Sequence, residues 1–190
     1  MFLRKLWRKI WFHDVFINES SDVWTQEGKK LEGMIPENFL VYGELVGFTA
    51  EGKAIQHGYT YDLTGSDCAL YIYRIAFVNS QGFVVDLAWD QVKTFCKERG
   101  LKYVPEIWRG KHKDFKVQHF IDVRLTDHFD VAVTLSGKDT VDEGVCIRTD
   151  GIIPYILKAK SPLFLEHESA ALDKEVADLE ADQSINIPEV

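Results

Sequence analysis

Short runs of apolar and β-branched residues, each bounded by Gly, Asp or Asn, set the texture of this chain. They predict strands over residues 39–46, 69–79, 83–87, 119–125, 129–135 and 144–148. Asn79-Ser80-Gln81-Gly82 falls between two of these runs and predicts a hairpin, and Ser136-Gly137-Lys138-Asp139 closes another strand. Two segments switch to a helical period. Trp89, Val92, Phe95 and Cys96 share one face, with Asp86 available as N-cap and Gly100 as C-terminal stop, so residues 89–99 are expected as a helix packed on the sheet. Leu165, Leu172, Val176 and Leu179 recur at near-helical spacing among acids and alanines and predict a terminal amphipathic helix. Residues 182–190 have little to bury and are expected to fray.

A chain of 190 residues with 46% hydrophobic content supports one core and is short for two, so residues 1–181 are read as one domain and 182–190 as an acidic tail. Cys68, Cys96 and Cys146 are odd in number and widely spaced, which indicates neither a disulfide framework nor a zinc site and fits a reducing compartment. His112, His119 and His128 have no metal-ligand spacing. No apolar run approaches the roughly 18 residues of a membrane span, so no membrane association through a span and a cytoplasmic location are expected. Residues 1–12 alternate basic and large apolar side chains without a signal-peptide pattern. They read either as a basic amphipathic helix on a membrane or partner, or as the preferred alternative, an element edge of a chain that begins inside a domain.

Charge refines this picture. The formal net charge is −8, but residues 164–190 hold eight acids against Lys174 alone, which leaves the preceding body near −1. A near-neutral body can carry a local basic groove for polyphosphate. Lys111-His112-Lys113 with Lys116, and Arg4-Lys5 with Arg8-Lys9, are the candidates, although such runs also occur as plain solvated faces.

Three motifs carry candidate chemistry: Tyr42-Gly43-Glu44-Leu45, Asp142-Glu143-Gly144-Val145 and Leu157-Lys158-Ala159-Lys160-Ser161-Pro162. Each acid alone reads as an exposed residue at the end of an ordinary strand. Lys158 and Lys160, two apart in an extended segment, project from one face, and such a pair is unfavourable unless an anion lies between them. Phosphate binding is one use of that arrangement, and a solvated edge strand is the other.

In combination and in this order, the motifs resemble those of the covalent nucleotidyltransferases: ATP-dependent DNA ligases, RNA ligases and capping enzymes. The chain looks most like the RNA ligase branch and the ligase-like proteins of large phages, over roughly residues 23–181, with support from Ile55-Gln56-His57-Gly58-Tyr59-Thr60-Tyr61 and Leu70-Tyr71-Ile72-Tyr73-Arg74-Ile75. The resemblance implies an α+β fold of antiparallel β-sheets with flanking helices, a partial adenylation domain. It implies that Glu44 holds the nucleotide ribose, Tyr73 stacks on adenine, Glu143 serves a catalytic magnesium, and Lys158 and Lys160 contact the ATP phosphates as catalytic cations. Arg74 departs from the pattern, since many ligases carry an aspartate there. The implied cofactors are ATP and Mg2+, the implied partner is RNA or DNA with a 5′-phosphate, and the implied compartment is the cytoplasm, or a host cytoplasm for a phage-encoded protein.

The family opens with a nucleophilic lysine in a Lys-x-x-Gly setting, an amine whose pKa must be depressed. Lys30-Leu31-Glu32-Gly33 satisfies the bare string, yet only a few residues separate it from the strand of Glu44 where the family has several tens, and its surroundings resemble the helix and turn that lead into the glutamate motif. Lys30 is therefore not assigned as nucleophile, and the chain reads as N-terminally truncated. Either a separate polypeptide carries the lysine, or the domain is inactive and binds nucleotide or nucleic acid without catalysis. A third reading is an interaction protein whose unpaired sheet edge is covered by a partner or a second copy.

Overall fold

The computed structural model describes residues 23–56, 61–124, 142–151 and 153–172. The expectations for residues 1–12, 57–60, 129–139, His128 and 173–190 lie outside the described residues.

Strands β1 (Phe39–Gly47), β2 (Cys68–Val78) and β3 (Val84–Asp86) form an antiparallel sheet in the order β1-β2-β3. Antiparallel register places Leu40 opposite Ala76 and Val46 opposite Ala69. The β2–β3 turn forms at Asn79–Gly82 as expected: Asn79 Oδ1 accepts the N–H groups of Gln81 and Phe83, and Gly82 adopts a φ of 83°. The two faces of this sheet do different work. One face packs Val41, Ile72 and Ile75 against Val92, Phe95 and Cys96 of helix α2 (Trp89–Glu98). Ile72 and Ile75 are fully buried, each worth roughly 1.5–3 kcal/mol relative to exposure. The end of the same sheet carries helix α1 (Val23–Lys30), which packs Val23 on Leu45 and Ile55. The opposite face presents Leu40, Tyr42, Glu44 and Val46 by period two, and it is the face toward the second sheet.

The second sheet is a two-stranded antiparallel ribbon of β4 (Gly144–Thr149) and β5 (Tyr155–Lys160), followed by helix α3 (Pro162–Leu172). These elements make the chain α+β, with antiparallel sheets and flanking helices as expected. One side of the ribbon buries Val145 against Phe120, with Ile107, Phe115 and Ile147 around them. The ribbon is fastened to the start of α2: Asp150 Oδ2 accepts the Trp89 N–H at 2.7 Å, and Arg148 Nη2 donates to the Leu87 carbonyl.

Two sequence expectations need correction. Asp86 is not the N-cap of α2. It lies in β3 and takes Arg74 in a two-point ion pair, Nη2 to Oδ2 at 2.9 Å, while Ala88 occupies the N-cap position and Asp150 and Gln91 satisfy the helix-start N–H groups. Residues 119–124 are not a strand. A single 3-10 turn at Val117–His119 leads into an irregular segment in which Phe120 is buried and Asp122 has a φ of 58°, a conformation no strand accommodates.

Candidate active site

Local backbone geometry explains why the acids of the first two motifs are flanked by glycine. In β1, a Cβ at Gly43 would lie 2.7 Å from Leu70 Cδ1 and 3.0 Å from the Tyr71 carbonyl, so any larger residue would push β2 away beside Glu44. At Gly144 the φ is 132°, and a Cβ would enter the Ala159 carbonyl oxygen and come within 2.9 Å of Lys160 Cα. Glycine thus lets β4 and β5 close directly beside Glu143.

Opposite Gly43 the β1–β2 register shifts: Tyr42 pairs with Arg74 and Gly43 with Ile72. Tyr73 is the extra residue of this bulge, a device that re-aims side chains. Arg74 is fixed beside it, its guanidinium 4.7 Å above the Tyr42 ring and its other side on Asp86. Arg74 is thereby committed to Tyr42 and Asp86 beside the bulge.

The structure brings the five sequence-derived site residues to one place between the two sheets. Lys158 Nζ donates to Glu143 Oε1 at 2.6 Å, and Lys160 Nζ lies 3.5 Å from the same oxygen. The anion expected between the two lysines is thus supplied by the chain itself. Glu143 is buried, as is Glu44. Burial pushes the Lys158 ammonium below its usual pKa, and the charges of Glu143 and Glu44 oppose that shift. Tyr73 is pushed up to about 12, by burial first and then by the charge of Glu44. Cys146, directly opposite Lys158 in the ribbon register, is likewise raised to about 12 by burial, with Lys158 opposing. Glu44, Tyr73, Cys146, Lys158 and Glu143 thus share one electrostatic neighbourhood.

Ser161 closes the ribbon at this end. Its N–H donates to the Glu143 carbonyl at 2.8 Å, and its hydroxyl donates to Asp122 Oδ1, which also accepts the Leu163 N–H at 3.0 Å. Ser161 Oγ in turn accepts the Phe164 N–H at 3.3 Å, an N-cap for α3.

A cavity of about 430 Å³ opens beside the cluster, between α2, residues 104–120 and β4. Tyr73 and Cys146 belong both to the charged cluster and to the cavity wall, which continues through Trp89, Trp108, Phe115 and Arg148. Arg148 Nη1 is buried without a hydrogen-bond partner, although Nε reaches Asp150 at 2.7 Å. Neither the cavity nor Arg148, Trp89 and Ser161 was assigned a role from sequence. The readable signal was modest: a cation in the Glu143 strand, and one tryptophan, Trp108, outside any periodic stripe.

The Lys-x-x-Gly strings lie elsewhere. Lys30 is exposed and paired with Glu27, a hydrogen bond that raises its pKa, the opposite of what a nucleophilic amine needs. Lys97-Glu98-Arg99-Gly100 fits the same string, but it is the end of α2, with Gly100 at a φ of 65°. Among the described residues no group of three or more His, Cys, Asp or Glu could hold a metal, no disulfide joins the three cysteines, and no helix is long and apolar enough to cross a membrane.

The sequence model of the RNA ligase family matches residues 6–160. Comparison with curated proteins finds no match.

Proposed function

The chain belongs to the RNA ligase family, whose model spans most of its length, and from that premise we propose that Glu143, Lys158 and Lys160, with Glu44 and Tyr73, form the wall of an adenylylation site acting on ATP and a polynucleotide 5′-phosphate. The observation that carries this reading is a single buried carboxylate held by two lysines on one strand face, beside a mostly apolar cavity that Tyr73 helps to line. The lysines complement a polyphosphate and offset the charge that builds as pyrophosphate leaves. The cavity complements a flat base: Tyr73 offers a ring for stacking, and the buried Arg148 Nη1 is a donor suited to a ring nitrogen. Glu44, whose charge reaches Tyr73 and Lys158, would take the ribose hydroxyls.

A divalent cation fits this donor set only in part. Glu143 supplies one carboxylate, so magnesium would be shared with phosphate oxygens, its common mode, and would supply neutralising charge at the phosphates. Lys158 and Lys160 would then exchange Glu143 for phosphate oxygens, so that each ammonium keeps an anionic partner.

The attacking amine is assigned to a second polypeptide, since Lys30 is paired to Glu27 with a raised pKa and Lys97 sits at the end of α2. The same observation favours, as the second reading, a non-catalytic nucleotide-binding protein of ligase descent. Calorimetry with ATP and incubation with α-labelled ATP and magnesium, followed by denaturing electrophoresis, separate the two. Expected are ATP binding that weakens at least about tenfold in Lys158→Ala, and no labelled band from the chain alone. A labelled band lost in Lys30→Ala overturns the assignment of the amine. Absence of ATP binding by the folded chain overturns the site. Failure of every candidate partner to take label selects the second reading.

A further inference from the structure

One ring of the cavity wall, Trp108, also reaches solvent. Trp108 is 38% exposed, yet its ring is fixed: it lies over the backbone of Gly110, where a Cβ would come within 2.7 Å of the indole Cη2, and it packs at 5.2 Å on Phe115. Phe115 stacks in turn on Phe120 at 5.3 Å, and Phe120 is buried against Val145 of β4. An aromatic ladder thus anchors an exposed indole to the strand that begins beside Glu143.

The acids Asp90 and Glu106 are taken up by Lys93 and Arg109. Arg109 is committed to Asp90, with two hydrogen bonds at 2.7 and 2.9 Å, and to Glu106. Lys111, Lys113 and Lys116 are exposed and form no ion pair with a described residue, while Asp114 is the one acid of the segment. A single 3-10 turn, His112–Asp114, holds the segment compact. In a chain of net charge −8, three lysines that form no ion pair with a described residue, following a braced, exposed indole in the chain, are a local inversion of charge.

We propose that Trp108 with Lys111, Lys113 and Lys116 forms a docking strip for single-stranded polynucleotide beside the cavity. The chemistry selects the ligand: lysines track a phosphodiester backbone, and an exposed indole stacks only on a base that is not already paired. The bracing by Gly110 and Phe115 holds the platform in place before binding, which reduces the ordering entropy lost on association. The strip delivers a strand end toward Glu143 and the lysine pair. It rests on the reading of the chain as a polynucleotide-handling protein, but not on ATP binding.

The test is fluorescence anisotropy of labelled 12-nucleotide RNA, DNA of the same sequence, and the RNA duplex, from 25 to 200 mM salt. The full chain is compared with Lys111→Ala/Lys113→Ala/Lys116→Ala and Trp108→Ala, with circular dichroism confirming the fold of each. The triple variant is expected to lower the slope of log K against log salt by about two, from about 0.7 per phosphate contact. Trp108→Ala is expected to weaken single-strand binding about five- to a hundredfold with little change in slope. If Trp108→Ala fails to fold, the triple variant decides alone. An unchanged slope in the triple variant, preference for duplex, or no binding by the full chain at 25 mM salt overturns the proposal. ATP binding by the triple lysine variant at unchanged affinity, read by calorimetry, separates this strip from the nucleotide site, so that either can fail without the other. Comparing RNA with DNA distinguishes the two sources of the same chemistry.

Discussion

Glu143→Gln is the most informative single change in the cluster. The substitution keeps the shape of the side chain but removes the charge that faces Lys158 at 2.6 Å and Lys160 at 3.5 Å. Removing one member of a buried pair destabilises by about 3–5 kcal/mol, and a hydrogen bond to a charged group is worth about 1.5–3 kcal/mol. The lysine side chains here are 24% and 32% exposed, so water relieves part of the loss, and about 2–3 kcal/mol is expected at pH 7. The pH dependence gives the mechanism. Burial already holds the folded pKa of Lys158 below its unfolded value, so the folded state releases that proton first, and this contribution to stability improves as pH rises between the folded and unfolded values. Loss of Glu143 removes the two largest opposing influences, lowers the folded pKa further, and widens that window downward. Urea unfolding of both proteins from pH 7 to 10 should therefore show a gap that narrows as pH rises. A gap that stays constant or widens would refute the claim that an uncompensated Lys158 charge is its source.

Two further predictions follow from the same geometry. Gly144→Ala should lose about 2–5 kcal/mol in urea unfolding, from the combination of a glycine-only backbone conformation and a clash with Ala159 and Lys160, and a loss under 1 kcal/mol would contradict the close β4–β5 contact. Burial raises the thiols of Cys68 to about 12, Cys96 to about 11 and Cys146 to about 12, so a disulfide reagent at pH 8 should react slowly with the native chain and rapidly with all three in guanidinium; fast native labelling of Cys146 would place it outside the cluster described.

The elements that were readable in advance are those whose signal is local. β1, β2, β3, β4 and α2 each formed within a few residues of the expected bounds, because period-two and period-3.6 burial need only the segment and an apolar surface to face. The misread segment at residues 119–124 has strand-like composition, yet Phe120 answers to Val145 and the side chain of Asp122 binds Ser161 and Leu163, partners about 40 residues away. Asp86 was misassigned for the same reason. It stands at a position where a cap is plausible from neighbours alone, and the competing cation, Arg74, is a register partner's neighbour across β2 and β3.

The candidate site divides along the same line. Period two along one strand is enough to put Lys158 and Lys160 on a common face, and the glycines after Tyr42 and Glu143 mark close backbone approach, so the residue types and their local directions were contained in the chain's order. Which charges meet was decided only by folding. Glu143 became the anion between the lysines because β5 returns antiparallel on β4 with Gly144 opposite Lys160. Glu44 and Tyr73 joined them because the β1–β2 bulge turns one sheet face toward the ribbon, which Asp150 and Arg148 fasten to α2. Electrostatic coupling depends on distances of a few ångströms between side chains up to about a hundred residues apart, and those distances are a property of the packed sheets rather than of any one segment.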